Sequence, residues 1–208
     1  FYAHHMSTIE GGMVCTNNKD LYNTLCMYRS HGMIRKLKNK KLIKNYSKKY
    51  SDLNPKFIFA YPAYNVRSTE INAVIGRNQI KRLDKNNKKR IMNFKIFLEN
   101  LDKNIFRTDF DLIGSCNYAF ILILKHPNLS KRNKLEKIFS KYSIEYRRGT
   151  AGGGNQMRQP YLKNIINKKT FKNYPEVEHV HFYGYYIGNY PDLSKQRIQE
   201  ICKIVNSI

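Results

Sequence analysis

The sequence predicts an α/β protein, on three observations. A long amphipathic helix pattern opens at Ser68-Thr69-Glu70 and carries Ile71, Val74, Ile75 and Leu83 along one side. A continuous apolar run, Tyr118-Ala119-Phe120-Ile121-Leu122-Ile123-Leu124, has the texture of a strand buried on both faces. Around that run, strand signals alternate with helix signals to the end of the chain. The 208 residues are 41% hydrophobic, 25% charged and 13% aromatic, which is globular and not disordered, with room for one large domain or two small ones.

In chain order, residues 1–12 are rich in His, Ser, Thr and Gly and read as a loop. Met13-Val14-Cys15-Thr16 reads as a short apolar strand. Asn17 or Asn18 can then cap a helix from Lys19 to about Ser30, with Leu21, Leu25 and Tyr28 as its apolar face and Gly32 just past its end. Residues 33–62 are basic and Tyr-rich, and read as a surface excursion with little regular structure. The helix opening at Thr69 has a capping hydroxyl and an acid in its first turn. Its pattern runs on through Arg90, Met92, Phe94 and Leu98, so one long or bent helix is expected. A helix over 130–142, a strand near 144–147, a Gly-rich stretch over 149–154 and a last helix from Ser194 complete the chain. Ile198, Ile201, Cys202 and Val205 fall at helical spacing on that last helix.

Several function classes are unsupported by the composition. The longest apolar runs are far too short to cross a bilayer. Cys15, Cys26, Cys116 and Cys202 are widely separated and form no C-x-x-C pair, so neither a zinc ribbon nor a redox dithiol is signalled; scattered core thiols fit a reducing cytoplasm. The balance of 38 Lys+Arg against 15 Asp+Glu, a net +23, invites a basic nucleic-acid-binding module. The excess is diffuse Lys interleaved with Asn and Ile, though, and no zinc finger, helix-turn-helix or RNP-type strand accompanies it. Gly149-Thr150-Ala151-Gly152-Gly153-Gly154 is followed by Asn155-Gln156, not Lys-Ser/Thr, so it is no Walker loop. His179 and His181 have strand spacing but no third ligand nearby, and read as surface or core histidines.

The densest chemistry lies in Ala3-His4-His5-Met6-Ser7-Thr8-Ile9-Glu10-Gly11-Gly12. Adjacent histidines on extended chain point in different directions, so no metal site is expected there. A loop histidine does suit proton transfer near neutral pH. Glu10-Gly11-Gly12-Met13-Val14-Cys15-Thr16-Asn17-Asn18 and Arg29-Ser30-His31-Gly32 reproduce a larger frame. It resembles the S-F-x-x-x-K-x-x-x-x-G-E-G-G segment of the DegT/DnrJ/EryC1/StrS aminotransferase family, followed there by a strand, T-N-D and a helix ending in H-G. His4 falls in the register of the family's cofactor lysine, and Ile9 where the family usually has Gly. Tyr64-Asn65-Val66-Arg67-Ser68-Thr69-Glu70-Ile71-Asn72-Ala73-Val74-Ile75-Gly76 is similar to YNxRxTExxAAxG. Gly154-Asn155-Gln156-Met157-Arg158-Gln159-Pro160-Tyr161 resembles the GN-x-x-RQPY stretch of the family's 3-dehydratase branch.

The resemblance implies the C-terminal half of a PLP-dependent aminotransferase fold (fold type I): the end of the large cofactor-binding domain over 1–100 and a small α/β domain over 101–208. It implies pyridoxal 5'-phosphate or pyridoxamine 5'-phosphate as cofactor. An imidazole has no primary amine to condense with the cofactor aldehyde, so His4 cannot replace the lysine covalently, but it can move a proton. The implied reaction is loss of the C3 hydroxyl from a nucleotide-linked 4-keto-6-deoxyhexose, towards a dideoxysugar of a surface polysaccharide such as lipopolysaccharide. His4 would be the catalytic base and would lie at the cofactor. A family paralogue with transaminase activity, or with none, is the alternative.

Also implied are a cytoplasmic homodimer, glutamate or a similar amino donor, and no nucleic-acid or membrane partner. In relatives the Asn of the YNxR block reaches across the dimer interface to the cofactor phosphate, and Asn65 stands there; taken without the other blocks it reads as a turn or cap residue before the helix. Arg67 could hold a carboxylate or phosphate of the substrate, or be an ordinary surface residue. Arg158 could bind the sugar diphosphate, or form a structural ion pair. One branch holds an iron–sulfur cluster on closely spaced Cys, which this chain does not have.

Overall fold

The structure is a computed structural model that describes residues 4–149, 153–162, 164–166 and 170–208. The chain forms two compact units, Phe1–Lys81 and Arg82–Ile208. The division falls inside a single helix; the boundary drawn from the sequence lies at the end of that same helix.

In the first unit, Asn18 accepts from the backbone N–H groups of Asp20 and Leu21 and starts α1, Lys19–Tyr28. Its buried positions are Asn23 and Met27, while Leu21 and Tyr28 stay about half exposed, so the expected apolar face is not the one that packs. The reason lies in the next stretch of chain. The segment over 33–62 is not irregular but contributes Ile34, Leu37 and Ile58 to a small core around Met27, with Leu42, Ile43 and Tyr46 packed on it. The last three belong to α2, Lys40–Lys49, capped by Asn39. No strand forms at 13–16; Met13 and Val14 are exposed, and no neighbouring strand pairs with them among the described residues.

Gly32 closes α1 as expected, at φ +76, its N–H donating to the Met27 carbonyl at 2.8 Å. A Cβ there would stand 1.9 Å from the Tyr61 carbonyl oxygen, so only glycine fits. The close approach belongs to a short antiparallel ladder. Its bonds run from Ile34 N–H to the Ile58 carbonyl, Ala60 N–H to Gly32, His31 N–H to Tyr64, and Val66 N–H to Arg29. Tyr28 stacks on Tyr61 at 4.9 Å beside it.

The helix α3, Glu70–Asn100, is the one long helix that the sequence predicts. In the second unit its later turns bury Phe94, Phe97 and Leu98 against a three-stranded antiparallel sheet. The strands are β1 (Ala119–Ile123), β2 (Tyr146–Arg148) and β3 (Gly184–Gly188), in the order β1-β3-β2. Phe120 pairs in register with Ile187, and Leu122 with Tyr185. The helices α4 (Leu129–Lys141), α5 (Pro175–Tyr183) and α6 (Lys195–Val205) complete the unit. The expected face of α6 is the buried one: Ile198, Ile201, Cys202 and Val205. Phe97 stacks on Phe120 at 4.3 Å, and Tyr185, fully buried, donates its hydroxyl to Glu136 at 2.7 Å. Burial and that hydrogen bond push the Tyr185 phenol well above its usual value.

Candidate active site

The ladder that Gly32 permits ends at Asn65, whose backbone bridges Ser30. Two residues on, Arg67 donates to the Asn65 side-chain oxygen twice, from Nε at 2.8 Å and from its backbone N–H at 3.4 Å. An amide whose oxygen is engaged in this way turns its NH2 outward, and the Asn65 Nδ2 has no partner among the described residues. Both residues are exposed. The structure therefore places Asn65 and Arg67 together, as one ledge of donors just ahead of α3.

The segment bearing His4 is fastened to that same helix. Thr8 is 7% exposed, and its carbonyl accepts from Asn72 Nδ2 at 2.6 Å. Its hydroxyl donates to the Glu10 carbonyl at 2.8 Å. Its methyl lies 3.1 Å from where a Cβ on Gly76 would stand, so the helix glycine lets the loop approach. The following residue, Ile9, sits at φ +73. That region suits glycine and is rare for a β-branched side chain. The position usually held by Gly in the family frame is thus one where the backbone is left-handed. His4 itself is exposed and His5 half-buried; residues 1–3 lie outside the described residues.

Arg158 belongs to the second unit. Its Nε donates to Glu178 at 2.8 Å and its Nη2 to the other oxygen of the same carboxylate. The guanidinium lies over the rings of Phe171 and Phe182, 4.2 and 5.0 Å from their centroids. Asn155, 1% exposed, donates to the same Glu178 at 2.7 Å, and its backbone N–H donates to His181 Nδ1 at 3.1 Å. Hydrogen bonding from Arg158 holds the Glu178 carboxyl below the usual range, and burial lowers His181. Of the two readings open for Arg158, this geometry has the form of the ion pair. The pair ties the segment after the Gly-rich stretch to α5; residues 150–152 of that stretch lie outside the described residues. A cleft of ≈ 260 Å³ lies beside it, lined by Gly149, Gly154, Glu176, Val177 and Val180.

His179 and His181 lie on α5, not on a strand. His179 is buried with Nε2 2.6 Å from the Leu124 carbonyl oxygen, a packing role. Among the described residues no group of three His, Cys, Asp or Glu is placed to hold a metal, and no helix is long and apolar enough to cross a membrane. Sequence reasoning missed Thr8 and Asn72. The spacing Thr69-x-x-Asn72 was the available signal, since a polar residue at that position reaches back to the helix start.

The match to known proteins covers this whole arrangement. The family model for the DegT/DnrJ/EryC1/StrS aminotransferase family matches residues 1–206. The GDP-4-keto-6-deoxy-D-mannose 3-dehydratase of Yersinia pseudotuberculosis is 30% identical over 198 residues, covering 94% of this chain and 50% of that protein. The solved structure of the E. coli GDP-4-keto-6-deoxy-D-mannose-3-dehydratase with bound hydrated PLP superposes with a TM-score of 0.73 at 25% identity, over 99% of this chain and 52% of that one. Another structure, a GDP-4-keto-6-deoxymannose-3-dehydratase with bound GDP-perosamine, gives 0.71 at 25% identity, over 99% and 53%. The chain spans about half the length of the curated relatives it matches. Its two units have the fold of the C-terminal part of a fold type I enzyme, and the chain belongs to the DegT/DnrJ/EryC1/StrS aminotransferase family.

Proposed function

We propose that the protein containing this chain is a pyridoxamine-phosphate-dependent 3-dehydratase of a nucleotide-linked 4-keto-6-deoxyhexose. The observation that carries the reading is His4, a residue with no primary amine, in the register of the family's lysine. The similarity to dehydratases at 30% and 25% identity supports it.

The residues present suit the cofactor. A phosphate asks for hydrogen-bond donors, and the Asn65 Nδ2 points out from an amide whose oxygen Arg67 already occupies. When bound, pyridoxamine phosphate supplies an amine for the sugar ketone and a ring that accepts electrons. The chain supplies position and proton transfer. Asn65 donates to the cofactor phosphate, across a homodimer interface, while Arg67 orients Asn65 and adds positive charge for the substrate. His4 takes up a proton at an imidazole nitrogen and returns it to the C3 hydroxyl oxygen, which leaves as water. A base so placed is worth on the order of 10²–10⁴-fold in rate. For Arg158 to bind the sugar diphosphate as well, it would use the N–H groups that Glu178 does not engage, those of Nη1 first. The large and small domains would meet near residue 100, glutamate would serve as amino donor, and the product would enter lipopolysaccharide or another surface glycan from the cytoplasm.

The test uses the full-length gene product with pyridoxamine phosphate and a GDP- or CDP-linked 4-keto-6-deoxyhexose, followed by mass spectrometry. The expected product is a 4-keto-3,6-dideoxyhexose, lighter than the substrate by one oxygen, with pyridoxamine phosphate giving up two electrons to become pyridoxal phosphate and its nitrogen leaving as ammonia. It is absent with His4→Asn. A sugar that gains an amine and keeps its C3 hydroxyl would make the protein a transaminase.

A further inference from the structure

The strongest unassigned feature is the side chain that holds the His4 loop. Asn72 lies in the first turn of α3, three residues after Thr69, and its Oδ1 accepts from the Thr69 backbone N–H at 2.9 Å and from the Thr69 hydroxyl at 2.7 Å. That is the reciprocal half of an N-terminal capping box, a position where Glu or Gln ordinarily serves. For the cap alone an acid would do as well or better, since a negative charge in the first turn is favoured by the helix dipole. An acid has no hydrogen to give, however. Asn72 has two, and it gives one to the Thr8 carbonyl at 2.6 Å. One carboxamide therefore joins the start of α3 to a turn sixty-four residues earlier.

The bond falls where the chain needs holding. Immediately after Thr8, Ile9 is left-handed at φ +73, a conformation that its branched side chain opposes. A turn disfavoured by its own residue persists only where its surroundings impose it. Here the surroundings are the Asn72 hydrogen bond, the buried Thr8 side chain with its hydroxyl on the Glu10 carbonyl, and the close approach at Gly76. The turn at Ile9 is five residues downstream of His4, so its conformation bears on where the His4 backbone lies.

We propose that Asn72 is a positioning residue: by pinning the Thr8 carbonyl it imposes the strained turn at Ile9 and so fixes the placement of His4. The inference deepens the reading given to His4 and rests on it for its catalytic consequence.

The discriminating variant is Asn72→Asp in the full-length protein, which keeps the acceptor for the cap and removes the donor to Thr8. Its thermal midpoint should match the wild type. Amide exchange over residues 4–14 should quicken about tenfold, as expected for one lost hydrogen bond at a local opening. The kcat for dehydration should fall by about 10–10²-fold with KM for the nucleotide sugar unchanged, the pattern of a misplaced reacting group. Asn72→Gln, which keeps donor and acceptor, should retain most of the protection. Ile9→Gly in the Asn72→Asp background should recover part of kcat, because glycine adopts the turn unaided. Wild-type exchange over 4–14 in Asn72→Asp would overturn the proposal. So would an early global melt of that variant with no selective loss in this segment, since Asn72 would then serve only the helix. If the wild-type protein does not remove the C3 hydroxyl from the sugar, the reading of His4 fails, while the exchange measurement still decides whether Asn72 imposes the turn.

Discussion

Among the described residues, the second unit closes seventeen buried residues into one core, from Phe94 to Val205, whereas the first closes Met27, Ile34, Leu37 and Ile58. The second is held by stacked aromatic rings and a sheet; the first by a backbone ladder, a glycine that nothing can replace and a few polar clamps. The first unit also leaves Met13, Val14, Tyr64, Val66, Ile71, Val74 and Ile80 well exposed, and these share its segments with His4, Asn65 and Arg67. The proposed chemistry thus lies in the unit with the smaller buried cluster.

The largest effect that tests this contrast is truncation of each core. Phe120→Ala should cost about 4 kcal/mol and Met27→Ala about 2 kcal/mol in urea melts, because Phe120 is enclosed on all sides by a larger cluster. Equal costs would break the comparison. Next comes Gly32→Ala, which meets both a left-handed backbone and the Tyr61 carbonyl. It should destabilise the first unit by more than about 1 kcal/mol and weaken cofactor binding through Asn65, while tryptic resistance of the second unit is unchanged.

The second unit should respond more to pH. Glu178 is held below its ordinary 4.5 by Arg158, so its contribution is complete above that value and is lost as pH falls through the lowered folded value. His181, lowered from 6.5 by burial, adds a milder loss as pH drops from 6.5 towards its folded value, because the unfolded chain takes up the proton first. Glu178→Gln should shrink the acidic step in pH-dependent melts of the full-length protein, leaving the part due to the exposed Glu176 and Asp192 pairs, and keep the milder one. The smallest effect is Ile9→Gly, expected to stabilise by at most about 1 kcal/mol, as relief of strain is partly offset by glycine entropy. A destabilising Ile9→Gly would mean that the side chain packs better than its exposure indicates.

Much of the second unit was legible because its signals are local and dense. The apolar run at 118–124 became β1, and Ile198, Ile201, Cys202 and Val205 became the buried face of α6. In the first unit local signals misled. Leu21 and Tyr28 lost the core to Met27 because the partner surface comes from residues 34–58, and the 13–16 strand found no neighbour. The helix α2 was hidden by its lysines, with only Leu42, Ile43 and Tyr46 to mark a face. The roles proposed for His4, Asn65 and Arg67 rest on motif spacing. The carboxamide that spans Thr69 and Thr8 was not legible, since a contact across sixty-four residues leaves no periodicity to read.

The most direct test of the central claim is a labelling experiment at position 4. The full-length protein and its His4→Lys variant are each incubated with pyridoxal phosphate, reduced with borohydride and mapped by peptide mass. The account predicts the reduced cofactor fixed to residue 4 in the variant and no such label there in the wild type. A variant that carries no label at residue 4, or a wild type labelled at a lysine elsewhere in the same pocket, would contradict the placement of His4 at the cofactor.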